Sequence, residues 1–142
     1  MAVSARNVFK GSVASIQEGP IHAEVVVTTA GGDSIVATLT GTSVKALGLK
    51  VGSAAVAVVK APSVILMSGT PEYRFSARNQ ISGTVSSIHA GAINSQVTLT
   101  LTGGSKVDAI VTNEAVSALG LKPGEPAVAL FKAGQVVVGV PV

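Results

Sequence analysis

The segment Ser4–Asn7 reads Ser-Ala-Arg-Asn and recurs as Ser76–Asn79, where it opens the second copy of a repeat that fills nearly the whole chain. With a shift of 72 positions, residues 4–68 align without a gap onto residues 76–140, and about 29 of those 65 pairs are identical. Self-similarity on this scale fixes the unit of folding. We therefore predict two copies of one domain, residues 1–69 and 75–142, joined by a linker at residues 70–74.

Each copy is so small that we expect it to pack against the other copy or against another chain. A domain of roughly 70 residues buries only about 60% of its unfolded surface, so one copy alone would be marginally stable. The chain is 47% hydrophobic and only 12% charged. We expect part of this apolar surface to be buried between copies or between chains.

Composition excludes several classes of protein. The 142 residues contain no cysteine, so disulfides and thiolate metal sites are excluded. His22 and His89 have no metal-binding partner at a suitable spacing, so no zinc site is predicted. No apolar run approaches the roughly 20 residues that cross a bilayer. The N-terminus lacks the apolar core of a signal peptide, and we expect a cytoplasmic protein without membrane partners.

One copy reads as five strands and one short helix. Alternating and β-branched residues indicate strands, Gly11 predicts a bend in the first one, and Gly31-Gly32-Asp33 predicts a turn. Thr40 or Thr42 can cap the helix, and Gly48 suits its left-handed end. A helix between the third and fourth strands is typical of an OB-type barrel. We predict an all-β protein of two tandem OB-type five-stranded barrels, with elements at 8–16, 23–29, 34–40, 42–47, 54–60 and 64–67 and their second copies.

Few polar residues are kept in both copies, and most of them suit a small tetrahedral oxyanion. Arginine supplies a fork of donors, lysine a compact charge, and hydroxyls single donors that rotate to fit. Lys50 and Lys122 lie in a turn after the helix, where an exposed lysine is ordinary, so we interpret them as structural. The kept positions include Ser4/Ser76, Arg6/Arg78, Asn7/Asn79, Thr40/Thr112, Lys50/Lys122 and Lys60/Lys132.

A second cluster argues against catalysis. Residues 19–24 (Gly-Pro-Ile-His-Ala-Glu) align with residues 91–96 (Gly-Ala-Ile-Asn-Ser-Gln). A catalytic histidine or carboxylate would tolerate neither the change of His22 to Asn94 nor that of Glu24 to Gln96. No nucleophile elbow, phosphate-binding glycine loop or dinucleotide fingerprint is present. We predict that the chain is not an enzyme and that it uses no cofactor.

The motifs taken together resemble the molbindin family, whose unit is the Mop domain. They are Ser-Ala-Arg-Asn, Gly-Xaa-Ile-His-Ala-Glu at 19–24, Ser-Val-Lys-Ala-Leu-Gly-Leu at 43–49 and Val-Lys-Ala-Pro-Ser-Val at 59–64. The resemblance covers nearly the whole chain twice and implies two fused Mop domains. It further implies an OB-type fold, molybdate or tungstate as ligand, six Mop domains per assembly and hence a homotrimer, with sites between domains.

The resemblance also implies two types of binding site. The first type would use residues of both copies, with Ser43 replaced by Ala115 in the second: Ser4, Arg6, Thr40, Ser43, Lys60, Ala61, Ser76, Arg78, Thr112, Lys132 and Ala133. The second type would use the loop cluster, where the difference between His22 and Asn94 leaves open whether both copies are competent: Gly19, Ile21, His22, Ala23, Gly91, Ile93, Asn94 and Ser95.

The expected function is cytoplasmic binding, storage and homeostasis of molybdate or tungstate. One alternative is a regulatory module that senses molybdate and acts through a protein partner. A nucleic-acid-binding OB protein is disfavoured, because three Phe, one Tyr and no Trp offer few stacking platforms and the net charge is only +3.

Overall fold

The computed structural model describes residues 2–142 and confirms the predicted all-β architecture with two short helices. The first repeat contains β1 (Asn7–Glu18), β2 (His22–Thr29), β3 (Ser34–Thr40), α1 (Gly41–Leu47), β4 (Ala54–Val59) and β5 (Ile65–Met67). The second contains β6 (Asn79–Ala90), β7 (Asn94–Leu101), β8 (Lys106–Thr112), α2 (Asn113–Leu119), β9 (Pro126–Phe131) and β10 (Val137–Gly139). Single 3-10 turns at Ala61–Ser63 and Ala133–Gln135, here the Ala61 turn and the Ala133 turn, precede β5 and β10. No helix within residues 2–142 is long and apolar enough to cross a membrane.

The two repeats exchange their last strands. One curled sheet has the order β10-β4-β1-β2-β3, and the other has the order β5-β9-β6-β7-β8. The strand that completes each sheet therefore comes from the other repeat, through antiparallel pairing of Val137–Gly139 with β4 and of Ile65–Met67 with β9. The predicted count of five strands per sheet is confirmed, whereas sequence similarity alone could not show which copy supplies the fifth.

A single hydrophobic core spans both repeats. Alternate residues of the central strands point inward, as Val25 and Val27 do in β2 and Val97 and Leu99 do in β7, and all four are fully buried. This period of two is what a strand with one buried face requires. The shared core explains how two copies of marginal size form one stable molecule.

The first strand of each repeat is strongly curled. Gly11 pairs with Thr29, and a side chain at Gly11 would collide with the carbonyl oxygen of Thr28. A bulge follows, because the register shifts between Val13 and Ser15. The glycine is needed where β1 passes from pairing with β4 to pairing with β2, and the bulge that follows adds curvature in the usual way.

Asn7 and Asn79 fasten each repeat to an edge strand of the other. The Asn79 amide accepts from Val36 N at 2.8 Å and donates to Val36 O at 2.8 Å. The Asn7 amide accepts from Asp108 N at 2.7 Å and donates to Asp108 O at 2.8 Å. Both asparagines are buried. Their retention in both copies thus has a structural cause.

The tips of the β2–β3 hairpin and the β7–β8 hairpin meet. A side chain at Gly31 would collide with the carbonyl oxygen of Gly103. Asp33, which is 6% exposed, accepts from Gly103 N at 2.8 Å and from Ser105 N at 3.0 Å. The two glycine turns are therefore a contact between repeats as well as simple turns.

Candidate binding site at the contact between repeats

Sheet register places an arginine beside a lysine in each repeat. Asn7 pairs with Val59, so Arg6 and Lys60 are the next residues outward on neighbouring strands. Asn79 pairs with Phe131 in the same way, which sets Arg78 next to Lys132. Each pair is exposed, and each places two positive charges on one surface.

Each lysine leads into a turn that packs against the other repeat. The Ala61 turn, which starts directly after Lys60, packs against β8, and the Ala133 turn packs against β3. Both alanines are buried. β8 ends at Thr112 and β3 ends at Thr40, so each turn packs against the strand of the opposite copy that leads into a helix.

These contacts between turns and strands divide the residues implied by the resemblance into two groups. The Arg78 interface, as we name it, contains Thr40, Ser43, Ser76, Arg78, Lys132 and Ala133. The Arg6 interface contains Ser4, Arg6, Lys60, Ala61, Thr112 and Ala115. Each takes its cations from one repeat and its helix start from the other.

The two helix starts differ in their free hydroxyl donors. Thr40 caps α1 by accepting from Ser43 N at 3.1 Å, and its hydroxyl donates to Ser43 Oγ at 2.8 Å. Ser43 is therefore the hydroxyl that is left to donate outward. Thr112 caps α2 by accepting from Ala115 N at 3.1 Å, and its own hydroxyl hydrogen has no acceptor at position 115. The cap residues of each helix thus leave one hydroxyl to donate outward, that of Ser43 in the first repeat and that of Thr112 in the second.

A carboxylate engages the arginine of one interface. Arg78 donates from Nη2 to Glu24 Oε1 at 2.7 Å and from Nε to Glu24 Oε2 at 3.0 Å. These hydrogen bonds and the charge of Glu24 raise the pKa of Arg78. The position equivalent to Glu24 in the second repeat holds Gln96, so the Arg6 interface has no carboxylate there.

The loop cluster of the first repeat borders an open cleft of about 400 Å3. Gly19, Ile21 and Ala23 line it together with Gly41 and Lys45. His22 lies outside this cleft, on a neighbouring surface that it shares with Glu24. The structure thus brings together three of the four predicted residues, and it adds a cation that the sequence analysis did not select.

The loop cluster of the second repeat is filled by its own side chain. Asn113 stands where the first repeat has Gly41. Its Nδ2 donates to Gly91 O at 3.0 Å, and its Oδ1 accepts from Ser95 Oγ at 2.5 Å. Ser95 is 3% exposed, as is fitting for a position whose equivalent, Ala23, is 2% exposed. Ile93 and Asn94 remain at the surface.

Sequence comparison of the two copies overlooked Lys45 for a definite reason. It selects residues kept in both copies, and Lys45 is replaced by Ser117 while Gly41 is replaced by Asn113. The signal that could have revealed this cleft was the change from Gly41 to Asn113 at the first residue of each helix. Among residues 2–142, no cluster of three or more His, Cys, Asp or Glu side chains could hold a metal ion.

Fold and site together define a class of protein: a duplicated OB-type protein with basic, hydroxyl-bearing surfaces at the contacts between its units. The chain belongs to the TOBE-domain family, whose model matches residues 3–66 and 76–138. The resemblance to the molbindins is confirmed by this double match and by the relatives described next.

Several relatives carry names connected with molybdenum. The chain is 46% identical over 140 residues to the molybdenum transport protein ModE of Herbaspirillum seropedicae, covering 99% of this chain and 52% of the relative. It is 36% identical over 141 residues to the molybdenum-pterin-binding protein MopA of Rhodobacter capsulatus, covering 99% and 53%. It spans about half the length of these relatives. A single repeat suffices to cover 100% of the molybdenum-pterin-binding protein 1 of Clostridium pasteurianum, at 41% identity over 68 residues.

A solved structure matches along its whole length. It is the cytoplasmic molybdate-binding protein ModG in a crystal form with molybdate bound, at 51% sequence identity and a TM-score of 0.93. The match covers 99% of this chain and 100% of that one. At this identity the comparison extends beyond the general fold to the arrangement of the two units.

Proposed function

We propose that this chain binds molybdate or tungstate in the cytoplasm, stores it and releases it unchanged, without catalysing a reaction. The observation that carries the proposal is that the arginine and lysine of each repeat lie side by side next to a turn that packs on the strand leading into the threonine-capped helix of the other repeat. The likeness to ModG with molybdate bound supports this assignment.

The chemistry of the two interfaces fits a tetrahedral dianion. An anion taken from water needs both charge compensation and hydrogen bonds to its oxygen atoms. Arg6 with Lys60, and Arg78 with Lys132, supply two positive charges each. Hydroxyls and the backbone around Ala61 and Ala133 supply further donors. Such a site exchanges its ligand without chemical change, which suits storage.

Further copies of the chain would complete these sites. The arginines and lysines of both interfaces are exposed in the single chain. Ile21 and Ile93, at equivalent positions, are 72% and 74% exposed. Large exposed apolar side chains beside polar groups mark protein contacts. We propose a homotrimer with six units, in which the open cleft at Gly19–Ala23 forms the second type of site, while Asn113 restricts the equivalent cluster at Gly91–Ser95.

Equilibrium dialysis and native mass spectrometry test the proposal together. Arg6→Ala combined with Arg78→Ala should remove most molybdate uptake, because each of the two interfaces loses its guanidinium. The matched control is Lys50→Ala with Lys122→Ala, which removes two cations that also recur in both repeats but lie in turns after the helices. Equal uptake by the two double variants would reject the site. Mass spectra with and without molybdate should show a trimer and its ligand count.

A regulatory module remains the second candidate, because the chain spans only 52% of the ModE relative. In that case the molybdate-loaded chain would hold a protein partner in a stoichiometric complex. Affinity purification with and without added molybdate distinguishes the two functions. Storage predicts no partner that depends on the anion, whereas sensing predicts one.

A further inference from the structure

We propose that Glu24 competes with the bound oxyanion for Arg78, so that the Arg78 interface is held partly closed while the Arg6 interface is not. This inference rests on the proposed function, since it concerns the regulation of the same sites. Among residues 2–142 the Arg78–Glu24 contact is the one ion pair shorter than 4.0 Å. The competition would make the two interfaces of one chain unequal.

The ion pair occupies the two guanidinium donors of Arg78 that an oxyanion would use. Glu24 engages both Nε and Nη2 of Arg78, which is the forked arrangement that arginine also offers to phosphate-like anions. A tetrahedral oxyanion that uses the same fork must displace the carboxylate. The pair is accessible, because the Arg78 side chain is 61% exposed and the Glu24 side chain 30% exposed. An exposed pair is weak and exchanges readily.

Both residues of the ion pair are held in place by the surrounding strands. Arg78 directly precedes Asn79, whose side chain is fastened to Val36 on β3. Glu24 lies on β2 opposite Thr38, two residues from the Thr40 that caps α1. The carboxylate is therefore built into the interface by the sheet itself. A carboxylate at this place also repels a dianion through space.

The second repeat supplies the internal comparison. Asn7 is fastened to Asp108 as Asn79 is to Val36, so Arg6 is held in the corresponding position. The aligned residue there is Gln96, which carries no charge. Glu114 adds an exposed carboxylate to the first turn of α2, but it forms no ion pair with Arg6 or Lys60 in the part of the chain that the structure describes. The two arginines thus differ in whether a carboxylate occupies them.

The test isolates one interface at a time in the full-length protein. Arg6→Ala leaves the Arg78 interface, and in that background Glu24→Gln should tighten molybdate binding by about fivefold at low salt. The gain should shrink as salt is added, because both the competition and the repulsion are electrostatic. The mirror experiment places Gln96→Glu in an Arg78→Ala background, where binding should weaken to a similar degree. Isothermal titration calorimetry gives the constants, and thermal unfolding confirms that each variant is folded.

Each outcome decides one question. If Glu24→Gln weakens binding, then Glu24 positions Arg78 for the ligand and the competition is wrong. If Glu24→Gln leaves the affinity unchanged while Arg78→Ala abolishes it, the inference fails and the proposed function stands. If the unmodified protein takes up no molybdate, the proposed function itself fails. A gain in one background and a loss in the other supports the inference.

Discussion

The side-chain amides of Asn7 and Asn79 form the hydrogen bonds that the backbone of a neighbouring strand would otherwise form. Strands β3 and β8 are sheet edges, and an edge strand leaves backbone donors and acceptors unpaired. A carboxamide has one acceptor and one donor group in the same geometry as a peptide bond, so each asparagine can satisfy both groups of one edge residue. Because Asn79 is 2% exposed, no water could take its place without rearrangement. These two residues therefore stabilise the contact between repeats and shield the two edges.

Asn79→Ala should lower the free energy of unfolding by about 2 to 4 kcal/mol, because Val36 N and O both lose a buried partner. Urea unfolding monitored by far-UV circular dichroism measures the change. Ser82→Ala on the same strand is the control, since Ser82 is exposed, and its effect should stay within about 0.5 kcal/mol. A loss below about 1 kcal/mol for Asn79→Ala would contradict the proposed role.

Asp33 should make the contact between hairpin tips sensitive to acid. Burial alone would raise its pKa, but hydrogen bonds from Ser105 and from Gly103 N lower it below the ordinary value of 3.8. A pKa that is lower in the folded state than in the unfolded state contributes stability above the unfolded value, and this is lost as pH falls through the folded value. The unfolding free energies of the wild type and Asp33→Asn should therefore differ most at neutral pH and converge below about pH 4. Urea titrations at several pH values measure this; a constant difference would contradict it.

The sequence predicted the helices and strands that depend on a local pattern of residues. Alternation in Ser34–Thr40 and the signals at Thr40 and Gly48 located β3 and α1, with Gly48 at φ 61° as expected. The sequence could not show which sheet β5 and β10 each join. A strand of three residues carries too little pattern to distinguish β4 from its copy β9 as a partner. The contact of Arg78 with Glu24 joins residues 54 positions apart and follows only from the folded arrangement.

The first residue of each helix should decide whether its loop cluster is open. Gly41→Asn should fill the cleft of the first repeat, as Asn113 fills its counterpart, and lower the number of molybdate ions bound per chain. Asn113→Gly should free Ser95 and Gly91 and cost about 1 to 3 kcal/mol of stability through the loss of two hydrogen bonds. Equilibrium dialysis counts the ligand and urea unfolding gives the stability. Unchanged ligand numbers for Gly41→Asn would remove this cleft from the candidate sites.

The exchanged strands tie the repeats together independently of the segment 70–74. Each sheet contains a strand from both repeats, and the core is continuous between them. Covalent continuity at the linker is therefore not what holds the halves in place. Sequence repeats and structural units have different boundaries in this chain.

Cutting the chain within residues 70–74 should leave the two halves associated. A protease recognition site placed there can be cleaved after folding, and both fragments should elute together in size-exclusion chromatography, with a melting temperature that now depends on protein concentration. In denaturant the two fragments of the same digest should elute separately, which shows that cleavage was complete. Separation of the fragments under native conditions would contradict the interlocked arrangement.

The exchange of β5 and β10 also bears on how the protein assembles at low abundance. A chain with one repeat could complete its sheet only with a strand from a second molecule, so its folding would depend on how often two molecules meet. Joining the repeats replaces that meeting with an event inside one chain, at an effective concentration on the order of millimolar. A cell that makes only a few copies of this protein still obtains two complete sheets from every polypeptide.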